Sequence, residues 1–355
     1  MGWIRRVLSM RPLYLVAALA CALVISACGG DDDGGDSGSD GGSSGEEPIK
    51  TAVLLFGNAD DQSWNTSMAE SIEIAAEESN LDVVSMVESV TAADGVRAER
   101  EAIEQGGAEF VIVHASALDQ ATQEVAAEYP DVCFLQAFGQ GDQPNVTNYA
   151  DDATGVNYLA GMAAASVSKS GKLGVVGGVD LDEIVASVEA FKHGAKAVDP
   201  KSDVLVTWVG DFEDPLKGKE AGAAQIAQGA DVVYAYGDGT GLGTVEAAVE
   251  ENVPLIGAWA DQHSLAPDLM VTSFVSNWEP IINQVAEAIR TDGPGNCSQG
   301  NWAADLENGG AELAPFNEFE DDIPDDVKQK IEEAREQIIA GELDPVTGKK
   351  SGGGS

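Results

Sequence analysis

Aromatic, small polar and glycine residues recur directly after the short apolar segments of this sequence. A ring such as Trp64 can stack on a flat ligand, and neighbouring carboxyl and hydroxyl groups can bond the polar edge of that ligand. The candidate binding residues at these segment ends are Asp61, Ser63, Trp64, Ser116, Phe212, Gly239, Trp259, Asp261 and Trp278. For Trp64, Trp208, Trp259 and Trp278 packing in a core is the alternative, and for Trp302 packing is the interpretation that we favour.

Complete catalytic motifs are missing from the sequence. Residues 168–173 resemble a phosphate-binding loop but lack its leading glycine, and Leu173 stands where Ser or Thr would hold magnesium. Residues 237–243 lack the G-x-G-x-x-G spacing, and no G-x-S-x-G elbow occurs from Ile49 onward, where strands and helices are predicted. The three histidines are dispersed, without metal-ligand spacing. We therefore expect no metal, no cofactor and no enzyme; an unrecognised hydrolase is the alternative.

Short β-type runs alternate with amphipathic stretches from Ile49 onward, as is typical of βα units around parallel sheets. The predicted strands are 51–56, 81–87, 110–114, 132–137, 172–176, 204–208, 232–236, 254–259 and 271–275. The predicted helices are one capped by Ser63 that contains Met68, Ile72 and Ala76, then 160–168, 184–198, 216–228, 245–251, 281–289 and 324–340. Nine strands exceed one small open sheet, so we predict an α/β protein of two lobes. Ligands bind beyond the carboxyl ends of parallel strands, where the candidate residues lie.

The charge of the chain is strongly negative. Its 355 residues include 61 Asp and Glu against 19 Lys and Arg, a formal charge of −42. Three of the arginines lie within the first 28 residues, so the remainder is more acidic still. Such a surface is repelled by phosphate backbones and anionic lipid headgroups, so we expect no nucleic-acid partner. A solvated coat suited to a salty habitat explains the acidity better than attraction of a ligand.

Residues 1–28 have the pattern of an export signal, because a basic start is followed by an apolar run too short for a membrane span. They end in Ile-Ser-Ala-Cys, which resembles a bacterial lipobox with Cys28 as the lipidated residue. Residues 29–47 follow as a disordered acidic tether of Gly, Ser and Asp. We expect a protein anchored by lipid at the extracytoplasmic face of the cell membrane. An ordinary signal peptide or an uncleaved anchor is the alternative.

Two cysteines remain in the body of the chain, Cys133 and Cys297. Outside the cytosol such a pair can form a disulfide. Cys133, however, lies in an apolar run, where a buried free thiol is at least as well supported. The sequence leaves both states open.

Four blocks of the sequence resemble the basic membrane protein family of substrate-binding lipoproteins, which includes purine nucleoside receptors. They cover most of the chain between residues 50 and 290. The blocks are 61–65 (DQSWN), 159–164 (LAGMAA) with 168–178, 208–215 (WVGDFEDP) with 218–221 and 228–232, and 256–257 with 261–262 and 272–273.

The resemblance implies a type I periplasmic-binding-protein fold, with two Rossmann-like lobes joined by three crossings. It places the first lobe at 48–150 plus 276–295 and the second at 151–275 plus 296–341, followed by a flexible tail, 342–355. It also implies a small-molecule ligand, a permease of an ABC importer as partner and a monomer in solution. A sensor that presents its closed form to a signalling receptor is the alternative.

The resemblance also assigns roles within the site. In nucleoside-binding relatives the opening aromatic stacks on the purine and the nearby Asp bonds its edge, which corresponds here to Trp64 and Asp61. Asn65 and Ser116 would line the same wall.

The sugar contacts of those relatives, an Asp and a Lys, are replaced here by Trp259 and Ser276. We therefore predict a free purine base or similar flat heterocycle in preference to a nucleoside. It would lie between Trp64 and either Phe212 or Trp259, with Trp278 as a further wall.

Overall fold

The structure is a computed structural model that describes residues 47–351. Its strands form two six-stranded sheets and a short hairpin, and elements are numbered in chain order below. The apolar runs of the central strands are buried on both faces, as parallel sheets covered by helices require.

The first sheet is parallel throughout, with strand order β11-β5-β4-β3-β1-β2. Its strands are β1 (Ile49–Leu55), β2 (Leu81–Val87), β3 (Phe110–His114), β4 (Cys133–Ala137), β5 (Val146–Asp151) and β11 (Asn301–Ala304). Its helices are α1 (Trp64–Glu78), α2 (Gly95–Glu104), α3 (Asp119–Glu128) and α8 (Glu279–Thr291). The helices α1 and α8 share one buried cluster, and α2 and α3 contribute to the cluster on the opposite face.

The second sheet has the order β12-β10-β9-β8-β6-β7 and is parallel except for the pairing of β10 with β12. Its strands are β6 (Lys172–Gly177), β7 (Asp203–Trp208), β8 (Val232–Tyr236), β9 (Leu255–Gly257), β10 (Met270–Ser276) and β12 (Ala311–Leu313). Its helices are α4 (Thr154–Val167), α5 (Asp182–Val198), α6 (Pro215–Ala227), α7 (Gly239–Glu251) and α9 (Asp325–Ile339). The helices α4, α5 and α9 share the largest buried cluster.

The chain passes between the two sheets three times, after β5, after β10 and after β11. One predicted boundary differs from this arrangement, because residues 296–304 were expected in the second lobe. The strand β11 instead pairs with β5 at the edge of the first sheet. Its backbone hydrogen bonds are therefore made in the first lobe, and the chain returns to the second lobe only before β12.

Several elements were absent from the sequence prediction. Strand β5 carries Thr147 and Asn148, polar residues that are nevertheless buried, so it shows no apolar run. Helix α2 buries only Gly95, two alanines and Glu99, so its buried face has no large apolar side chain. Part of the predicted flexible tail is ordered into secondary structure, because β13 (Leu343–Asp344) and β14 (Lys349–Lys350) pair as a hairpin.

Cys133 at the start of β4 and Cys297 before β11 form a disulfide across 164 residues of sequence. Both are buried in the first lobe. Of the two states that the sequence leaves open, a disulfide or a buried free thiol, the structure contains the disulfide.

Candidate functional site

A cavity of about 950 Å³ lies between the two lobes, where the carboxyl ends of strands from both sheets converge. Of the predicted site residues, it is lined by Trp64, Asn65, Ser116, Phe212 and Trp259. Its volume is at the upper end of the range for small-molecule sites.

The first-lobe wall of the cavity is built around Trp64, the first residue of α1. Its indole stacks on the His114 ring with centroids 4.1 Å apart, and Phe138 lies beside it at 5.6 Å. His114 Nε2 lies 3.0 Å from the Trp64 carbonyl, which can only accept, so Nε2 carries the proton. Nδ1 then accepts the hydroxyl proton of Tyr149. Burial lowers the pKa of His114 to about 3, so the ring is neutral and positions Trp64.

Trp278 does not line the cavity, contrary to the prediction. Its side chain is fully buried and packs edge-on against Trp64 with centroids 5.2 Å apart. Its indole N–H donates to Ser67 Oγ at 2.8 Å and its backbone N–H donates to Ser71 Oγ at 2.9 Å. These bonds to α1 hold Trp278 in the first-lobe core, so it supports Trp64 from behind.

Asp61 stabilises the start of α1 and is not part of the cavity wall. Its carboxylate accepts the backbone N–H groups of Ser63, Asn65 and Thr66 at 2.9, 3.1 and 3.0 Å. It also accepts the Asn65 side-chain amide at 2.7 Å, and that residue does line the cavity. Ser63 is the N-cap residue of α1, as predicted, but its side chain makes no capping bond; Asp61 accepts the free N–H groups instead.

The Ser63 hydroxyl forms a hydrogen bond with the second lobe beside the cavity. It donates to Asp238 Oδ1 at 2.6 Å, and the Trp64 N–H approaches the same oxygen at 3.5 Å. Asp238 follows β8 and lines the cavity, whereas the predicted neighbour Gly239 does not. Burial raises the pKa of Asp238 to about 7. The negative charge of Asp61 adds to this upward shift, and the hydrogen bond from Ser63 opposes it.

A second contact between the lobes is made by Gln262, whose side-chain amide donates to the Gln62 carbonyl at 2.7 Å. The Gln262 side-chain carbonyl accepts the Ala258 N–H at 3.2 Å, which orients the amide. The predicted residue Asp261 is exposed and accepts the His263 N–H at 3.0 Å. It caps that turn and does not line the cavity.

The second-lobe wall carries Phe212 and Trp259. Trp259 stacks on Tyr236 with centroids 4.9 Å apart, and its backbone has a positive φ of 64°, which turns the chain sharply after β9. The cavity therefore has an aromatic side chain from each lobe, as predicted for a flat ligand.

Asp151 is a cavity residue that the sequence analysis missed. It ends β5, at the first passage between the lobes, and its Oδ1 accepts the Ser276 hydroxyl at 3.0 Å. Burial raises the pKa of Asp151 to about 7, and hydrogen bonds from the Ser276 and Trp259 side chains oppose this shift. Trp259 and Ser276, which the sequence analysis predicts to stand in place of sugar contacts, thus both bond a carboxyl group. The signal was an aspartate at the end of a strand, but that strand itself was not recognised.

Residues 47–351 contain neither a metal-binding cluster nor a helix that could span a membrane. This part of the chain has no group of three or more His, Cys, Asp or Glu arranged to hold a metal ion. It also has no helix long and apolar enough to cross a membrane. The predicted export signal and Cys28 lie outside the described residues, as does most of the tether.

The cavity and the two lobes agree with the comparisons to known proteins. Residues 49–344 match the family model described as ABC transporter substrate-binding protein PnrA-like. The chain belongs to this family. The resemblance to basic membrane proteins and the periplasmic-binding-protein fold are both confirmed.

Individual relatives are similar over most of their length. A purine-binding protein of Brucella abortus is 31% identical over 305 residues, 85% of this chain and 84% of the relative. The nucleoside-binding protein BmpA of Lactococcus lactis is 27% identical and covers 92% and 95%. A solved ABC transporter solute-binding protein from Conexibacter woesei has a TM-score of 0.72 at 27% identity, covering 83% and 98%. The chain is thus a substrate-binding protein of the PnrA-like family.

Proposed function

We propose that this protein captures a purine base, or a similar flat heterocycle, between its two lobes without transforming it. The observation that carries the proposal is the placement of Trp64 on one side of the cavity and of Phe212 and Trp259 on the other. Stacking between two aromatic walls favours a flat ring system. The 31% identity to a purine-binding protein supports the same ligand class.

A base is favoured over a nucleoside because the carboxyl group beside Trp259, that of Asp151, is already bonded to the protein. Trp259 contributes an apolar surface where a ribose would need hydrogen bonds. The Asp151 carboxyl already accepts the hydroxyl of Ser276 and a bond from the Trp259 side chain, which reduces its capacity for a diol. Hydroxyl groups left without partners in an enclosed cavity weaken binding.

A nucleoside is the second candidate, because Asp151 still provides one carboxyl group at this wall. The nucleoside-binding relative from Lactococcus lactis supports it. In that case the two oxygens of Asp151 would accept ribose hydroxyls while keeping the bond with Ser276.

Isothermal titration calorimetry separates these candidates. We would titrate adenine, guanine and hypoxanthine, each against its nucleoside, with glucose as a free-sugar control. The proposal expects one base bound per chain and at least about 10-fold weaker binding of its nucleoside, the ratio that the loss of one hydrogen bond to a charged group produces. Tighter binding of nucleosides would reverse the assignment, and conversion of the ligand during incubation would establish an enzyme.

We further propose that the protein is anchored by lipid on Cys28 at the extracytoplasmic face and delivers its ligand to a permease. Family membership supports the permease partner, and the motif around Cys28 supports the anchor. Cys28→Ala should release the protein from membranes, and mass spectrometry should find a diacylated N-terminal cysteine in the wild type. An unmodified Cys28 or cleavage elsewhere would contradict the anchor. Permease and ATPase genes next to this one would support import, and a kinase gene would support the sensor alternative.

A further inference from the structure

The charged side chains that line the cavity are all acidic. They are Asp151, Asp152, Glu183, Asp211, Glu213 and Asp238. Within the described part of the chain no lysine or arginine lines this cavity, and the one histidine, His114, is neutral with both ring nitrogens bonded. An anionic group on a ligand would therefore find no opposite charge in the wall.

Burial divides the six carboxyl groups into two sets. Asp152, Glu183, Asp211 and Glu213 are exposed, so water screens their charges. Asp151 and Asp238 are partly buried and face the cavity. Charges in the enclosed part of a cavity are screened much less, so these two dominate the field that a bound ligand experiences.

Each of the two partly buried carboxyl groups is already bonded to the protein, and Asp151 also accepts a bond from the Trp259 side chain. Asp238 Oδ1 accepts Ser63 and lies near the Trp64 N–H, while Asp151 Oδ1 accepts Ser276. Among the described residues, no hydrogen bond is formed with Oδ2 of Asp238, which leaves that oxygen for a donor on the ligand. Burial disfavours the charged form of both carboxyl groups, and their bonds within the protein offset this only in part. An N–H donor or a cation on the ligand would stabilise the charged form further.

We propose that Asp151 and Asp238 determine the specificity of the cavity, which admits flat heterocycles that are uncharged or protonated and carry N–H donors, and rejects anions. This inference rests on the proposed function and narrows its ligand class. Amino-substituted purines fit, whereas nucleotides and carboxylated bases do not. The negative charge of a nucleotide or a carboxylated base would be buried beside the carboxylates of Asp151 and Asp238, without a cation to pair with it.

The test is a matched pair of ligands, purine-6-carboxamide and purine-6-carboxylate, which differ little in shape but differ by one negative charge. Calorimetry at about pH 7.5 places both buried carboxyl groups above their pKa of about 7. We expect the amide to bind on the order of 100-fold more tightly than the carboxylate, because two like charges lie within the enclosed cavity. Equal affinities, or tighter binding of the carboxylate, would overturn the proposal.

Variants show whether the two named residues are responsible. Asp151→Asn and Asp238→Asn keep an oxygen that accepts Ser276 or Ser63, and each should reduce the difference between amide and carboxylate to about 10-fold. Asp180→Asn is the control, because Asp180 is exposed next to Val179 of the cavity wall but does not line it. An equal reduction in Asp180→Asn would show that general acidity is the cause and would overturn the assignment. Failure of the amide, the carboxylate and adenine alike would instead contradict the proposed function.

Discussion

Oδ1 of Asp238 lies 2.6 Å from Oγ of Ser63, although the two residues follow strands of different sheets. Together with the bond from Gln262 to the Gln62 carbonyl, this contact joins the loops of the two lobes beside the cavity. Neither bond can form when the lobes are apart. Both therefore stabilise the arrangement in which a ligand is enclosed, relative to one in which the cavity is open.

Removal of the Ser63 hydroxyl should weaken ligand binding without unfolding the protein. Ser63→Ala deletes a bond that exists only when the lobes touch, and Asp61 still satisfies the start of α1. We expect about 10-fold weaker binding of adenine by calorimetry and a larger radius of gyration of the free protein by small-angle X-ray scattering.

The matched control is Ser79→Ala at the other end of α1. Ser79 Oγ donates to Asn283 at 2.6 Å, a bond of equal length that lies wholly within the first lobe. This variant should lower stability without changing affinity. Equal losses of affinity in both variants would contradict a role of Ser63 in closing the lobes.

Contact between the lobes should weaken as pH rises. The Asp238 carboxyl has a pKa of about 7 when enclosed, against an ordinary value of 3.8 when it is solvated. The closed arrangement therefore binds the proton more tightly, so its advantage is complete below about pH 4 and is lost as pH rises toward 7. Scattering of the ligand-free protein should show a more compact particle at about pH 5 than at pH 8. Asp238→Asn should reduce this dependence; an unchanged dependence would assign it to other groups.

A buried glutamate in the first lobe should make stability depend on pH. Glu99 Oε1 lies 3.0 Å from Thr122 Oγ1, whose single proton is directed to Gln136 Oε1 at 2.6 Å. The arrangement suits a protonated Glu99 that donates to Thr122, and burial raises its pKa to about 8. Folding then takes up a proton, so stability is complete below about pH 4.5 and decreases as pH rises to 8.

Glu99→Gln should therefore stabilise the protein at neutral pH, because the amide can donate to Thr122 without a proton from solvent. We expect about 2 kcal/mol in the free energy of unfolding by urea titration at pH 7.5, and no gain at pH 4. A loss of stability at pH 7.5, or an equal change at both pH values, would contradict the protonated state.

The disulfide should contribute strongly to stability, since it closes a loop that spans 164 residues and includes most of the second lobe. The double variant Cys133→Ala, Cys297→Ala should lose about 5 kcal/mol in the free energy of unfolding by the chain-entropy model. In the wild type, both sulfurs are buried, so reductant should act only as the protein unfolds. Rapid reduction under native conditions would contradict this burial.

Much of the fold was predictable because buried parallel strands are continuous apolar runs. The ranges of β2, β3 and β8 match the prediction to the residue. Strand β5 was missed because its buried Asn148 is held by bonds that its side-chain N–H groups donate to the Gly141 carbonyl and the Asn301 side chain, which no local pattern reveals. Because β5 was not predicted, Asp151 at its end was not recognised as a strand-end residue.

The site was predictable in its location and less so in its side chains. Strand-end positions predicted Trp64, Phe212 and Trp259 as binding residues, and all three line the cavity. The direction of a side chain in a loop depends on its tertiary contacts, which the sequence does not show. Asp61 therefore points toward the start of α1, and Trp278 points into the first-lobe core. Asp238 was missed because its role depends on Ser63 from the other sheet.

Binding of a purine base between the aromatic walls of the two lobes is tested most directly by a crystal structure of the protein grown with adenine. We predict one intact adenine per chain, stacked on Trp64 and facing Phe212 or Trp259, with its N–H groups near Asp151 or Asp238. Adenine bound outside this cavity would contradict the proposed binding of a purine base. A cavity that stays empty of adenine at saturating concentration, while a nucleoside or sugar occupies it, would contradict it as well.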